Sequence, residues 1–133
     1  MMLSQKSDSA PLFVTQWMDD LDPTLLDFMK TNVNSFIKWD LIRFFYENRD
    51  TTDTAGNIAK YTGRNVLVIE RELEDLVGSG IMVKRGLDGV PIYSLGSDEK
   101  IWALIGKFMS ACEHRDNRIK VIYHIVRGDS ISL

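Results

Sequence analysis

Apolar residues between positions 34 and 50, NSFIKWDLIRFFYENRD, recur at helical spacing on two faces rather than one. Ile37, Leu41, Phe44 and Phe45 make the first face, and Trp39, Ile42 and Tyr46 the second. Asp40, Arg43 and Glu47 leave only a narrow polar strip. A helix apolar on two sides is sandwiched, so its second face needs a cover: the preceding segment, the C-terminal segment or a partner subunit. Residues 51–63, TTDTAGNIAKYTG, predict a short helix capped by Thr52 or Asp53, with Ala55, Ile58 and Ala59 inward. Gly63 permits the left-handed backbone of a tight exit, and Asn65 caps the next helix at once. There Val66, Ile69, Leu73, Leu76 and Val77 share an inward face until Gly78-Ser79-Gly80 stops the helix.

Beyond that stop, IMVKRGLDGVPIYSL holds two β-rich runs flanking Gly86-Leu87-Asp88-Gly89, expected as the four-residue turn of a hairpin. Two helices joined by a short Gly-containing turn, then a hairpin, define the pattern over about residues 35–95. Ile58-Ala59, Gly63, Ile69, Leu73, Leu76, Gly80-Ile81 and the hairpin together resemble the winged helix-turn-helix superfamily. The similarity is to small dimeric bacterial and archaeal transcriptional regulators of the MarR and ArsR type. It implies a mainly α fold with a small β-hairpin, an N-terminal arm over 1–33, a winged domain over 34–96 and a C-terminal dimerisation region over 97–133. The resemblance specifies fold more than function, because one fold hosts many functions.

The flanks differ in kind. Residues 1–10 carry Ser and Asp without periodicity and predict a frayed start; PLFVTQWMDDLDPTLLDFMKTN is too hydrophobic for a free tail, with Asp22 capping and Pro23 opening a short helix. At the other end, Ser97 is the expected cap of a long helix. Ile101, Ile105, Phe108, Cys112, Arg115, Ile119, Ile122 and Val126 are spaced alternately four and three apart, a heptad seam. A continuous helix here predicts a homodimer built on Ile101, Ile105, Phe108, Cys112, Ile119, Ile122 and Val126. The alternative is two shorter helices, broken at the polar run around Arg115 and packed within the chain.

Composition narrows the function classes. The 133 residues are 44% hydrophobic, enough for a core, and one cysteine fits a reducing compartment, so a cytoplasmic protein is expected. No stretch offers the ~18 uninterrupted apolar residues of a membrane span. The formal charge of −3 gives no overall attraction to nucleic acid; contact must come from a local patch. Asp8, Asp19, Asp20, Asp22 and Asp27 make the start acidic, while Arg115, Arg118, Lys120 and Arg127 make the end basic.

The resemblance implies double-stranded DNA as the partner, read by the helix over 66–79 and held by the hairpin. Its outward residues are Arg64, Leu67, Val68, Arg71, Glu74 and Asp75. Arg64, Asn65, Leu67, Val68 and Arg71 are the expected groove residues, and Lys84 and Arg85 the expected phosphate contacts. Charge argues the other way: between Asp53 and Gly80, Lys60, Arg64 and Arg71 are outnumbered by Asp53, Glu70, Glu72, Glu74 and Asp75. An ordinary solvated face, with Arg71 paired to Asp75 one turn on, accounts for the same residues. Exposed Leu67 and Val68 beside mixed charges equally suit a protein-interaction module without DNA.

Other chemistry finds no support in the pattern. Cys112, His114 and His124 do not make a metal site on one helix, since ten residues place His124 about 15 Å along and on another face. No Gly-rich phosphate loop and no Ser/His/Asp arrangement is present. No enzyme and no cofactor are expected, while Trp102, Met109 and Tyr123 are core aromatics and a Met at helical spacing rather than a ligand pocket.

Overall fold

The computed structural model describes residues 22–131. Among them the chain is mainly helical with one small antiparallel sheet: α1 (Pro23–Asn32), α2 (Phe36–Glu47), β1 (Thr52–Asp53), α3 (Ala55–Thr62), α4 (Val66–Gly78), β2 (Met82–Leu87), β3 (Val90–Leu95), α5 (Glu99–Ala111) and α6 (Arg115–Ile131). The expected frayed start, and the apolar and acidic run before Asp22, lie outside the described residues. No helix among the described residues is long and apolar enough to cross a membrane.

Helices α1 to α5 each begin where a short polar side chain satisfies an otherwise unpaired N–H. Asp22 accepts from the Thr24 amide at 2.8 Å, with Pro23 in the first turn as expected. Ser35 accepts from Lys38 N at 3.0 Å and opens α2. Thr52 and Asp53, expected as caps, instead form β1, and Thr54 caps α3 at 3.2 Å from Asn57 N. Ser97 likewise yields to Asp98, whose side chain accepts from Lys100 N at 2.9 Å. A cap needs its acceptor within reach of the second or third amide of the helix, and in each case the neighbour one or two residues on is the one placed there.

The sheet runs in the order β1-β3-β2, so β3 is central. β1 pairs Thr52 with Ser94 and Asp53 with Tyr93, a short strand that the capping pattern conceals. The hairpin turn is tighter than the four residues expected: Gly86 and Leu87 already pair with Pro91 and Val90. Only Asp88 and Gly89 turn, with φ of 52° and 80°. Positive φ at both central residues marks the turn that matches strand twist, and Asp-Gly is its natural sequence.

Helix α2 is sandwiched, with Leu41, Ile42 and Phe45 fully buried. Its second face is covered within the chain. Phe108 of α5 meets Trp39 at 6.4 Å and Phe28 of α1 at 5.7 Å between ring centroids, and Trp102 lies 5.4 Å from Tyr46. The long C-terminal helix is not formed. The chain breaks at residues 112–114, where Asn117 and Arg118 side chains donate to the carbonyls of Ala111, Cys112 and Glu113. These donors satisfy the freed end of α5, so the polar run ends one helix and starts another. Two seam residues are therefore corrected: Ile105 and Phe108 lie in the chain's own core, at 0% and 2% exposure, and present nothing to a second copy. Val121 and Ile125, off the heptad spacing, are the buried apolar residues of α6 among the described residues, with Lys120 buried beside them.

Candidate nucleic-acid interface

Helices α3 and α4 meet through a turn of three residues, Gly63 to Asn65, entered by Gly63 at φ 68° and ψ 32°. The Arg64 amide donates to Ala59 O at 2.9 Å, closing the end of α3. Asn65 Oδ1 then accepts from Leu67 N at 2.9 Å and Val68 N at 3.4 Å, fixing where α4 starts. Ile69, Leu73 and Leu76 bury the inward face; Val66, expected there too, is exposed in the first turn of the helix, and Val77 is half-buried. Leu67, 71% exposed, and Arg71 lie one turn apart on the outward face, with Val68 half-buried beside them.

The residues expected to meet DNA divide into two groups. Arg64 is turned back toward α2, its guanidinium paired with Asp40, which also holds Arg43 at 2.9 Å. Lys84 on β2 is paired with Glu74 on α4 at 2.9 Å. Arg71 and Arg85 are exposed and carry no ion pair among the described residues. The Arg71–Asp75 pair of the solvated-face alternative is not formed, and Asp75 reaches Lys38 at 3.1 Å instead.

This geometry changes the meaning of the acidic run on α4. Glu72 is buried against Lys38 at 3.1 Å and accepts from the Ser35 hydroxyl at 3.1 Å. Glu74 accepts from Tyr93 Oη at 2.5 Å as well as from Lys84. The Tyr93 hydroxyl first, and Lys84 second, hold the Glu74 carboxyl below the usual carboxylate range. The same contact, with burial as the larger cause, pushes the Tyr93 phenol well above its ordinary range. Glu72, Glu74 and Asp75 are thus answered inside the fold, and only Glu70 on α4 has no cation beside it among the described residues. A direct count of charges on α4 hides this, because Lys38 and Lys84 come from elsewhere in the sequence.

The C-terminal helices hold the other expected residues. Ile101, Cys112 and Ile119 are half-buried, whereas Ile122 and Val126 are exposed along the outer side of α6. Burial pushes the Cys112 thiol up to about 11, leaving it a protonated, weakly reactive group. Among the described residues no cluster of His, Cys, Asp and Glu is arranged to hold a metal ion.

No family description matches the sequence, and no curated protein is similar to it. Among solved structures, one titled a possible transcriptional regulator from Methanosarcina mazei Go1 overlaps 76% of this chain and 78% of its own, at 20% identity and a TM-score of 0.40. A protein of the thermoacidophilic archaeon Sulfolobus tokodaii overlaps 86% of this chain and all of its own, at 14% identity and a TM-score of 0.38. Overlaps this loose assign neither fold nor activity.

Proposed function

We propose that the chain is a winged helix-turn-helix protein that binds double-stranded DNA as a non-enzymatic, homodimeric transcriptional regulator. One observation carries the reading: α4 is rigidly capped by Asn65 and presents Leu67 and Arg71 outward, beside a two-stranded hairpin carrying Arg85. In this reading α4 enters the major groove, Leu67 and Val68 meet a thymine methyl, Arg71 meets a guanine edge or phosphate, and Arg85 holds backbone. Asn65 serves as cap, and Arg64 and Lys84 contribute only after leaving Asp40 and Glu74. The second copy docks on α6, where Ile122 and Val126 are exposed.

The test is a fluorescence-anisotropy titration with random-sequence duplex DNA at low and physiological salt. The expected result is binding that weakens steeply with salt. A second reading, a winged-helix protein-interaction module without DNA, is favoured by the exposure of Leu67 and of Val66, which is 44% exposed. Absence of binding at the lowest salt transfers the assignment to that module.

A further inference from the structure

We infer that Glu74 and Asp40 are specificity-determining residues of this surface: each carboxylate holds one of its cations on the protein, and so weakens binding to any nucleic-acid backbone irrespective of sequence. The inference rests on the DNA reading above and adds to it which residues set the affinity.

Glu74 is the stronger case because a second contact besides Lys84 holds it. Its Oε2 is held by Tyr93 Oη at 2.5 Å, and Tyr93 is 1% exposed. Tyr93 sits in the central strand, paired with Asp53 of β1 on one side and Lys84 of β2 on the other. If Lys84 leaves for a phosphate, the Tyr93 hydroxyl still holds Glu74, a negative charge next to the one arriving. The exchange replaces one anion by another on Lys84, so the gain from neutralising a phosphate is largely offset. Asp40 does the same to Arg64, and Arg43 at 2.9 Å keeps it in place. Arg71 and Arg85, unpaired among the described residues, are not handicapped in this way. The surface therefore penalises contacts that read only phosphate and leaves Arg71, on the face of α4 that points outward, at full strength.

The test compares wild type with Glu74→Gln on random-sequence duplex DNA across a salt series. Glutamine keeps an oxygen for the Tyr93 hydroxyl and removes the charge. The expected result is binding up to about five-fold tighter at low salt, the reach of one exposed ion pair. The plot of log affinity against log salt should steepen by about 0.9 per protomer, one further phosphate neutralised. Adding Lys84→Gln should cancel both changes. Unchanged affinity and slope in Glu74→Gln, or a gain that survives loss of Lys84, overturns the inference and leaves the DNA reading standing. Silence of both proteins at the lowest salt removes the DNA reading and the inference together. Binding by the variant alone supports both. Asp40→Asn repeats the test at Arg64 should Glu74→Gln fail to fold, with a gain in affinity supporting the inference and no gain overturning it.

Discussion

Lys38 on α2 and Glu72 on α4 form an ion pair at 3.1 Å with side chains only 10% and 12% exposed. Lys38 also reaches Asp75 at 3.1 Å and Asn34 Oδ1 at 2.8 Å, so one ammonium group fastens the outer surface of α4 to α2. Removing one member of a buried pair strands the other charge in a poor dielectric. Lys38→Met is expected to lower stability by roughly 3 kcal/mol, read as a shift in the urea midpoint. Lys38→Met with Glu72→Leu should recover most of that loss. A double variant as unstable as the sum of the single ones would show that the two residues are not coupled.

Phe108 and Ile122 share the heptad spacing but have opposite fates. Phe108 packs between Phe28 and Trp39, so Phe108→Ala should cost about 3–5 kcal/mol whatever the oligomeric state. Ile122 is 43% exposed, so Ile122→Asp should leave the monomer's fold intact by circular dichroism. If two copies meet on α6, light scattering should report the wild type as a dimer and Ile122→Asp as a monomer. A dimer that survives the substitution places the interface elsewhere.

The hairpin turn makes a local prediction. Gly89 stands at φ 80° with open space around its Cα, so a side chain there meets no neighbour and only the backbone objects. Gly89→Val should cost about 1–2 kcal/mol, the penalty of a left-handed conformation for a branched residue. The loss should be confined to the hairpin, seen as faster amide exchange at Leu87 and Val90 with the exchange of Leu73 unchanged. Uniform acceleration through α4 would mean that the turn is coupled to the whole fold.

What was legible in the sequence was local. The Asn65 cap, the Gly63 exit, the inward Ile69, Leu73 and Leu76 of α4 and the presence of a hairpin, though not its two-residue turn, depend on residues at most a few positions apart. The contacts that define the candidate interface are not local: Arg64 meets Asp40 across 24 residues and Lys38 meets Asp75 across 37. No periodicity announces a lysine that is buried because two carboxylates and an amide converge on it. β1 leaves no mark in the sequence because two residues are too few to show alternation, and its Asp53 is also a good capping residue. The heptad spacing of the C-terminal region misled for a related reason. A spacing of threes and fours selects one face of a helix but does not say whether a neighbour in the same chain already covers it, as α1 and α2 cover Phe108.

His124 on α6 gives the fold a pH dependence near neutrality. Its ring is half-buried, Nε2 is sealed from water and accepts no hydrogen bond among the described residues, and Lys30 of α1 adds a like charge. Burial first and Lys30 second lower its pKa below the ordinary 6.5, and a hydrogen bond to the Met29 carbonyl opposes them only in part. The unfolded chain then takes up a proton on His124 at a pH where the folded chain does not. Stability from this residue is complete above about pH 6.5 and falls as the pH drops through and below that value. The carboxylates held low, Asp22, Asp53 and Glu74, act in a separate window: their contribution is present above about pH 4 and is lost only below it. Urea midpoints measured between pH 7.5 and pH 5 should therefore decline in the wild type and stay nearly flat in His124→Gln, which fills the same space without titrating. Parallel curves for the two proteins would mean that the imidazole is protonated as readily in the folded chain as in the unfolded one.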